Sequence, residues 1–208
     1  MKLLSLLLTM FSLLLPVTAG AQVLAPDSGP DVLVKSVTNE VLDIVRKDKD
    51  IQSGNHQRAI DLVETKVLPH FDFTRMTQLS LGRDWRTATP AQQKILADEF
   101  RTLLVRTYSS ALNEYKSQVI EFKPFKMKPG DTDVKVRTQI SQSGGRPIPL
   151  DYYLEKLPQG WKVYDIEVDG ISLVINYRES FAAEVRKGGI EGLIKSLQAK
   201  NRSDAAKT

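Results

Sequence analysis

DTDVKVRTQIS, residues 131 to 141, alternates without a break. Val134, Val136, Thr138 and Ile140 point one way, while Lys135, Arg137 and Gln139 point the other. A period of two is that of a β-strand with one apolar face. Working outward, three more runs of strand length surround it: SQVIEFKPFKM (117–127) before it, then RPIPLDYYLEKLP (146–158) and GWKVYDIEV (160–168) after it. Pro129-Gly130-Asp131, Ser143-Gly144-Gly145 and Pro158-Gln159-Gly160 separate them, and each is a turn signal. Consecutive strands joined by short turns predict a four-stranded antiparallel meander. Pro124, Pro147 and Pro149 mark edges or bulges, because proline cannot donate to a ladder.

On either side the period returns to that of a helix. Val34, Val37, Val41, Ile44 and Val45 recur at helical spacing within DVLVKSVTNEVLDIVRKDKD (31–50), with Asp31 as the expected N-cap. HQRAIDLVETKVLPHF (56–71) reads as a second helix that Pro69 ends or bends. Asp72 is placed to cap a short helix, FTRMTQLSLG, which Gly82 stops. Thr89-Pro90-Ala91-Gln92 has the cap, the N1 proline and the N3 glutamine of a long helix whose apolar positions run from Leu96 to Tyr115. Residues 173–187 and 190–200 are again helical, separated by Gly188-Gly189. The order is helices, strands, helices. It predicts an α+β fold in which N- and C-terminal helices wrap one side of a curved four-stranded sheet, with room for an apolar pocket between the layers.

The first 21 residues read differently. MKLLSLLLTMFSLLLPVTAGA carries one lysine, an apolar run from Leu3 to Leu15 and an Ala19-Gly20-Ala21 cleavage signature. The run falls short of the roughly 20 apolar residues a membrane span needs, so residues 1–21 are expected to be a secretory signal peptide that is removed. Residues 22–30 then form a leader, 31–200 a single domain and 201–208 a disordered tail. Beyond the signal stand 28 Lys and Arg against 25 Asp and Glu. That mild excess calls for no nucleic acid. The absence of cysteine removes disulfides, thiolate nucleophiles and cysteine metal sites.

Chemical candidates are sparse. His56 and His70 are the only histidines, and neither stands at a metal-ligand spacing from another. HFDFTRMT (70–77) gathers His70, Asp72 and Arg75, but helix capping accounts for the aspartate. Asp165, Glu167 and Asp169 alternate on the last strand and read as a solvated face, since three like charges would repel if buried. No G-x-S-x-G and no Gly-rich phosphate loop is present. No metal or cofactor is expected. What stands out is apolar and aromatic, and much of it must be ordinary core.

The segments VLPHFDFTRMTQLSLGRDWRTATPAQQ, FRTLLVRTYSSALNEY, YDIEVDGISLVINYRESF and RKGGIEGLIKSLQ, in that order and spacing, resemble the MlaC or toluene-tolerance family of Gram-negative bacteria. The resemblance runs from about residue 31 to residue 200. It implies a monomeric periplasmic phospholipid carrier of the Mla system and no catalysis. Its partners would be an inner-membrane ABC transporter complex and an outer-membrane lipoprotein-porin complex, and its work the maintenance of outer-membrane lipid asymmetry. By the same resemblance the pocket lies between sheet and helices, with phospholipid as cargo. The residues chosen to line it are Phe73, Met76, Leu104, Tyr108, Leu112, Val136, Ile140, Leu150, Tyr152, Leu154, Tyr164, Ile166, Val168, Ile171 and Val174, with about half expected to be plain core. Phe71 is a further wall candidate. Arg75, Arg83, Arg178 and Arg186 are the candidates for headgroup or membrane-proximal contacts, against the simpler reading of surface ion pairs. Two other functions stay open at this point. One is an enzyme using an Asp-His or Tyr-Asp pair in a small α+β cone; the other is a periplasmic adaptor or chaperone with an apolar groove.

Overall fold

The computed structural model describes residues 28–142 and 144–205. The expected signal peptide, most of the leader and the last three residues of the tail lie outside them.

All four expected strands form: β1 (Val119–Phe122), β2 (Asp133–Ser141), β3 (Ile148–Leu157) and β4 (Gly160–Val168), each antiparallel to the next. A fifth, β5 (Ile171–Ser172), extends the meander beyond β4. It follows a two-residue turn in which Asp169 (φ 51°) and Gly170 (φ 84°) both take positive φ. That is the type I′ hairpin turn for which Asp-Gly is a preferred sequence. Arg146 pairs with the Asp169 carboxylate and holds the turn.

The register sets the two faces of the sheet. Val136 lies opposite Tyr152, which lies opposite Ile166, while Thr138, Leu150 and Val168 form the next row. These rows share one apolar face. The other carries Lys135, which pairs with Asp151 at 2.8 Å and Glu167 at 3.5 Å, and Tyr153, whose hydroxyl donates to Glu167 at 2.7 Å. An antiparallel sheet with one apolar and one charged face buries chiefly the first; on the second, the helical core reaches Tyr153 and Tyr164. The β3–β4 register slips at Tyr153/Leu154, so that Leu154 faces Val163 and Tyr153 faces Asp165. Tyr164 is the extra residue of this bulge, and it joins Tyr153 rather than the apolar rows, with ring centroids 6.2 Å apart.

α1 (Pro30–Lys47) starts two residues earlier than expected. Gly29 is its N-cap, Pro30 its first residue, and Asp31 sits in the first turn, where its charge favours the helix N-terminus. α2 (Lys49–Gln52) is one turn capped by the Asp48 side chain. α3 (His56–Leu62) passes into a π-turn (Val63–Val67) and then a 3-10 turn (Leu68–His70). Pro69 explains this: it has no N–H for the Thr65 carbonyl, and its ring crowds that carbonyl, so the helix widens before it ends. Asp72 caps α4 (Phe73–Leu81) by accepting the Arg75 N–H at 2.8 Å, and Gly82 (φ 58°) ends it. Thr89 and Gln92 make the reciprocal capping box of α5 (Pro90–Tyr108). α5 tightens to a 3-10 turn at Ser109–Leu112, short of the expected end near Tyr115. α6 (Arg178–Ala205) is broken at Gly188 and Gly189, whose φ angles of −140° and 64° are not helical. It continues past residue 200, where a disordered tail was expected to begin. Asn201 is buried there and donates to the Glu99 carbonyl at 3.0 Å and carboxylate at 2.7 Å, which ties the helix end to α5.

Three apolar clusters result. The helical core packs α4, α5 and α6 around Phe100, whose ring meets Tyr177 and Phe181 edge-on at 5.0 and 5.1 Å. A second cluster lays Leu33 and Val34 of α1 on Val136, Leu154, Trp161 and Val163 of the sheet. A third joins Val41 and Val45 of α1 to Ile51 and Leu62, with Leu112 and Tyr115 against it. Val37 touches the second and third, and Phe71 the first and second. Arg75 clamps α4 to the sheet: its guanidinium pairs with Asp133 at 2.7 Å and with Glu155, and lies 3.7 Å over the Tyr164 ring. The Tyr164 hydroxyl also donates to Asp133, at 2.7 Å.

Candidate functional site

The apolar face of the sheet is covered unevenly. Under the N-terminal half of α1, Val136 and Leu154 are fully buried. Further along the same rows the apolar side chains stay half-exposed: Ile120 and Phe122 on β1, Ile140 on β2, Ile148, Leu150 and Tyr152 on β3, Ile166 and Val168 on β4. The register brings them together, since Ile120 pairs with Ile140, Ile140 with Ile148, and Leu150 with Val168. Half-buried Val37, Ile44, Val67 and Leu112 pack against the cluster of α1, α2 and α3, and Val37 also packs against the sheet cluster that holds Tyr152 and Ile166 at its margin. Tyr152 marks the junction. Burial pushes its hydroxyl up to about 12, and its polar contact is the Thr38 side chain of α1. A strip of apolar side chains this large gains by meeting further hydrocarbon.

The fifteen chosen residues divide between this strip and elsewhere. Val136, Ile140, Leu150, Tyr152, Leu154, Ile166 and Val168 share the apolar sheet face. Leu112 packs against the cluster of α1, α2 and α3. Met76, Leu104, Tyr164 and Val174 lie in the helical core, with Phe73 packed at its margin and stacked on Phe71 at 5.9 Å. Tyr164 leaves the strip because the bulge turns it to the other side of the sheet. Tyr108 and Ile171 are exposed, at 38% and 61%. Sequence reasoning overlooked Val37, Thr38 and Ile44 as candidates, although the helical period of Val37 and Ile44 on α1 was plain. It also overlooked Ile120 and Ile148, which the register pairs with Ile140.

Most of the polar candidates have a structural occupation. Asp165 is buried, not solvated as its alternation with Glu167 and Asp169 suggested. Its carboxylate accepts from the Ile166 N–H at 2.8 Å, the Val174 N–H at 3.2 Å and the Ser172 hydroxyl, which folds β5 back on β4. Burial nevertheless raises its carboxyl above the usual aspartate range. Glu167 and Asp169 face separate cations, Lys135 and Arg146, and both carboxyls are held low, chiefly by hydrogen bonds from Tyr153 and Arg146 respectively. His70 is half-buried, and burial followed by the nearby Lys162 charge lowers its imidazole. Of the four candidate arginines, Arg75 is spent in the α4 clamp. Arg83, Arg178 and Arg186 meet Arg86 around a cleft of about 860 Å³ between α4 and α6, away from the apolar strip.

Known proteins resemble this chain over most of its length. The family described as MlaC protein matches residues 35–199. The toluene tolerance protein ttg2D of Pseudomonas putida is 28% identical over 161 residues, covering 77% of this chain and 74% of its own. The intermembrane phospholipid transport system binding protein MlaC of Haemophilus influenzae is 26% identical over 177 residues, 83% of this chain and 82% of its own. A phospholipid-binding protein from Ralstonia solanacearum, solved in complex with a phospholipid, is 40% identical. It superposes with a TM-score of 0.79 over 86% of this chain and 99% of its own.

Proposed function

Since the chain belongs to the MlaC protein family, we propose that it carries phospholipid, with acyl chains against the sheet's apolar face and under α1 and α3. One observation supports this most: a fold this similar, at 40% identity, was solved with phospholipid bound. The half-exposed strip from Ile140 and Leu150 to Ile166 and Val168 supplies a surface suited to the same cargo.

The energetics need no catalytic group. Each CH₂ moved from water to an apolar site is favourable by roughly 0.8 kcal/mol, so ~30 of them gain ~24 kcal/mol. A carrier has only to hide that hydrocarbon. It needs little headgroup recognition, and release falls to a partner that stabilises an opened or emptied form. We place the protein in the periplasm after removal of residues 1–21, with residues 31–200 acting as one lipid-binding domain. It works as a monomer between an outer-membrane lipoprotein-porin complex and an inner-membrane ABC transporter complex. Among the described residues no helix is long and apolar enough to cross a membrane. Asp72 serves as a helix cap and Asp165 as a turn staple, roles that call for no chemistry from either.

The test is transfer of a fluorescent phospholipid from donor to acceptor liposomes. The purified protein should accelerate it in proportion to its concentration and elute lipid-loaded from the donor. No acceleration and no loading would sink the carrier reading.

A further inference from the structure

The arginine cleft between α4 and α6 uses none of the residues of the apolar strip. Arg83 and Arg86 stand on the 3-10 turn Gly82–Thr87 that follows α4, and Arg178 and Arg186 on the first half of α6. Elsewhere Arg46, Arg58, Arg75, Arg101 and Arg146 each pair with a carboxylate. No ion pair joins any of the four cleft arginines to a carboxylate of the described residues, although Asp84 stands among them. Arg178 is held in place without being neutralised: its Nε and Nη2 both donate to the Leu79 carbonyl, at 3.2 and 2.8 Å. Beneath the arginines Leu79, Leu81 and Trp85 supply an apolar floor, with Leu81 and Trp85 buried.

Four like charges around one concavity repel one another, and its low-dielectric walls concentrate their field outward. An anion entering the cleft relieves that repulsion. The form of the site narrows the choice of anion. A bilayer surface is broad and flat and meets only a rim, whereas a protruding loop or helix end can reach the floor. We propose that this cleft docks an acidic segment of a partner protein, with carboxylates on Arg83, Arg86, Arg178 and Arg186 and an apolar side chain over Leu79 and Trp85. Arginine suits the task because its planar fork takes a carboxylate in two parallel hydrogen bonds. Contacts of this kind steer encounter and fade with salt, which fits a reversible engagement. The cleft and the strip are separate, so cargo and partner can be held together, and the inference stands whether or not the carrier reading does.

Selection of short random displayed peptides on the purified protein, with a counter-selection on an Arg83→Glu/Arg186→Glu variant, tests this. The expected winners carry Asp or Glu flanking an apolar residue. By isothermal titration they should bind the double variant at least about tenfold more weakly and lose affinity as salt rises. Winners without acidic enrichment, or winners that bind the variant equally well, would overturn the proposal. So would phosphatidylglycerol vesicles binding through the same arginines while no acidic peptide does. Circular dichroism establishes that the variant is folded. Its phospholipid content should match the parent's, which separates this test from that of lipid carriage.

Discussion

Leu150→Arg puts a charge in the middle of the apolar strip. Leu150 sits on the central strand β3, between Thr138 and Val168 in the register, and is half-buried. The fold should tolerate the change. A half-buried arginine can lay its stem along apolar neighbours and turn its head to water, so the stability loss should stay within ~2 kcal/mol. Bound lipid has no such escape. A guanidinium and its stem would displace ~five CH₂ groups from the strip, a loss of ~4 kcal/mol at roughly 0.8 kcal/mol each, which is about a thousandfold in affinity. Organic extraction and mass spectrometry of the purified variant should find it nearly free of phospholipid, while urea unfolding shows a single transition. Leu104→Ala is the matched control. Leu104 is 6% exposed in the helical core, so truncation should cost ~2–5 kcal/mol of stability, yet the folded protein should keep its lipid. A folded Leu150→Arg protein carrying as much phospholipid as the parent would refute the placement of the acyl chains.

Other perturbations test the scaffold. Arg75→Ala strands the partly buried Glu155 and removes the contact over Tyr164, so urea unfolding should show a loss of ~2–4 kcal/mol, with Arg75→Lys recovering only part of it. A full recovery by lysine would mean that charge alone holds α4 to the sheet. For Asp165 the folded carboxyl is raised, so its ionisation disfavours folding. The stability difference between the protein and Asp165→Asn should therefore move against the parent as pH rises from the unfolded aspartate value of 3.8 through the folded one. Thermal unfolding across that window, with the parent gaining on the variant instead, would contradict the burial argument. His70 is lowered, so the unfolded chain takes up its proton first and the parent should lose stability as pH falls below 6.5. His70→Gln should remove that loss and leave phospholipid content unchanged, and loss of lipid binding would reopen a chemical role for the histidine.

Much of the fold is written in local signals. The alternation of residues 131–141, the Thr89-Pro90-Gln92 capping box, the Asp72 cap and the Gly188-Gly189 break each depend on a few neighbouring residues, and each forms as read. The Asp169-Gly170 hairpin was as legible as these. It passes unread because the strand it launches, Ile171–Ser172, has only two residues and no period to detect. What sequence cannot carry is the choice between cores. Met76 and Ile140 are both apolar positions in periodic segments, yet one fills the helical core and the other borders the strip. Only the packing of α1 on the sheet and of α6 on α4 and α5 decides that. The bulge at Tyr164 has the same lesson, since a single extra residue hands a tyrosine from one face to the other. Asp165 shows the converse. Its alternation with Glu167 and Asp169 is real, but β5 folds over it and supplies the donors that let a carboxylate be buried.

The central claim is that phospholipid is the cargo. It is tested most directly by purifying the protein without detergent from its native compartment, extracting it with organic solvent and weighing the lipid by mass spectrometry. The account predicts phospholipid in near-stoichiometric amount, with mixed headgroups and the acyl chains of the cell's own membranes. Lipid-free protein that also takes up none from liposomes would contradict it.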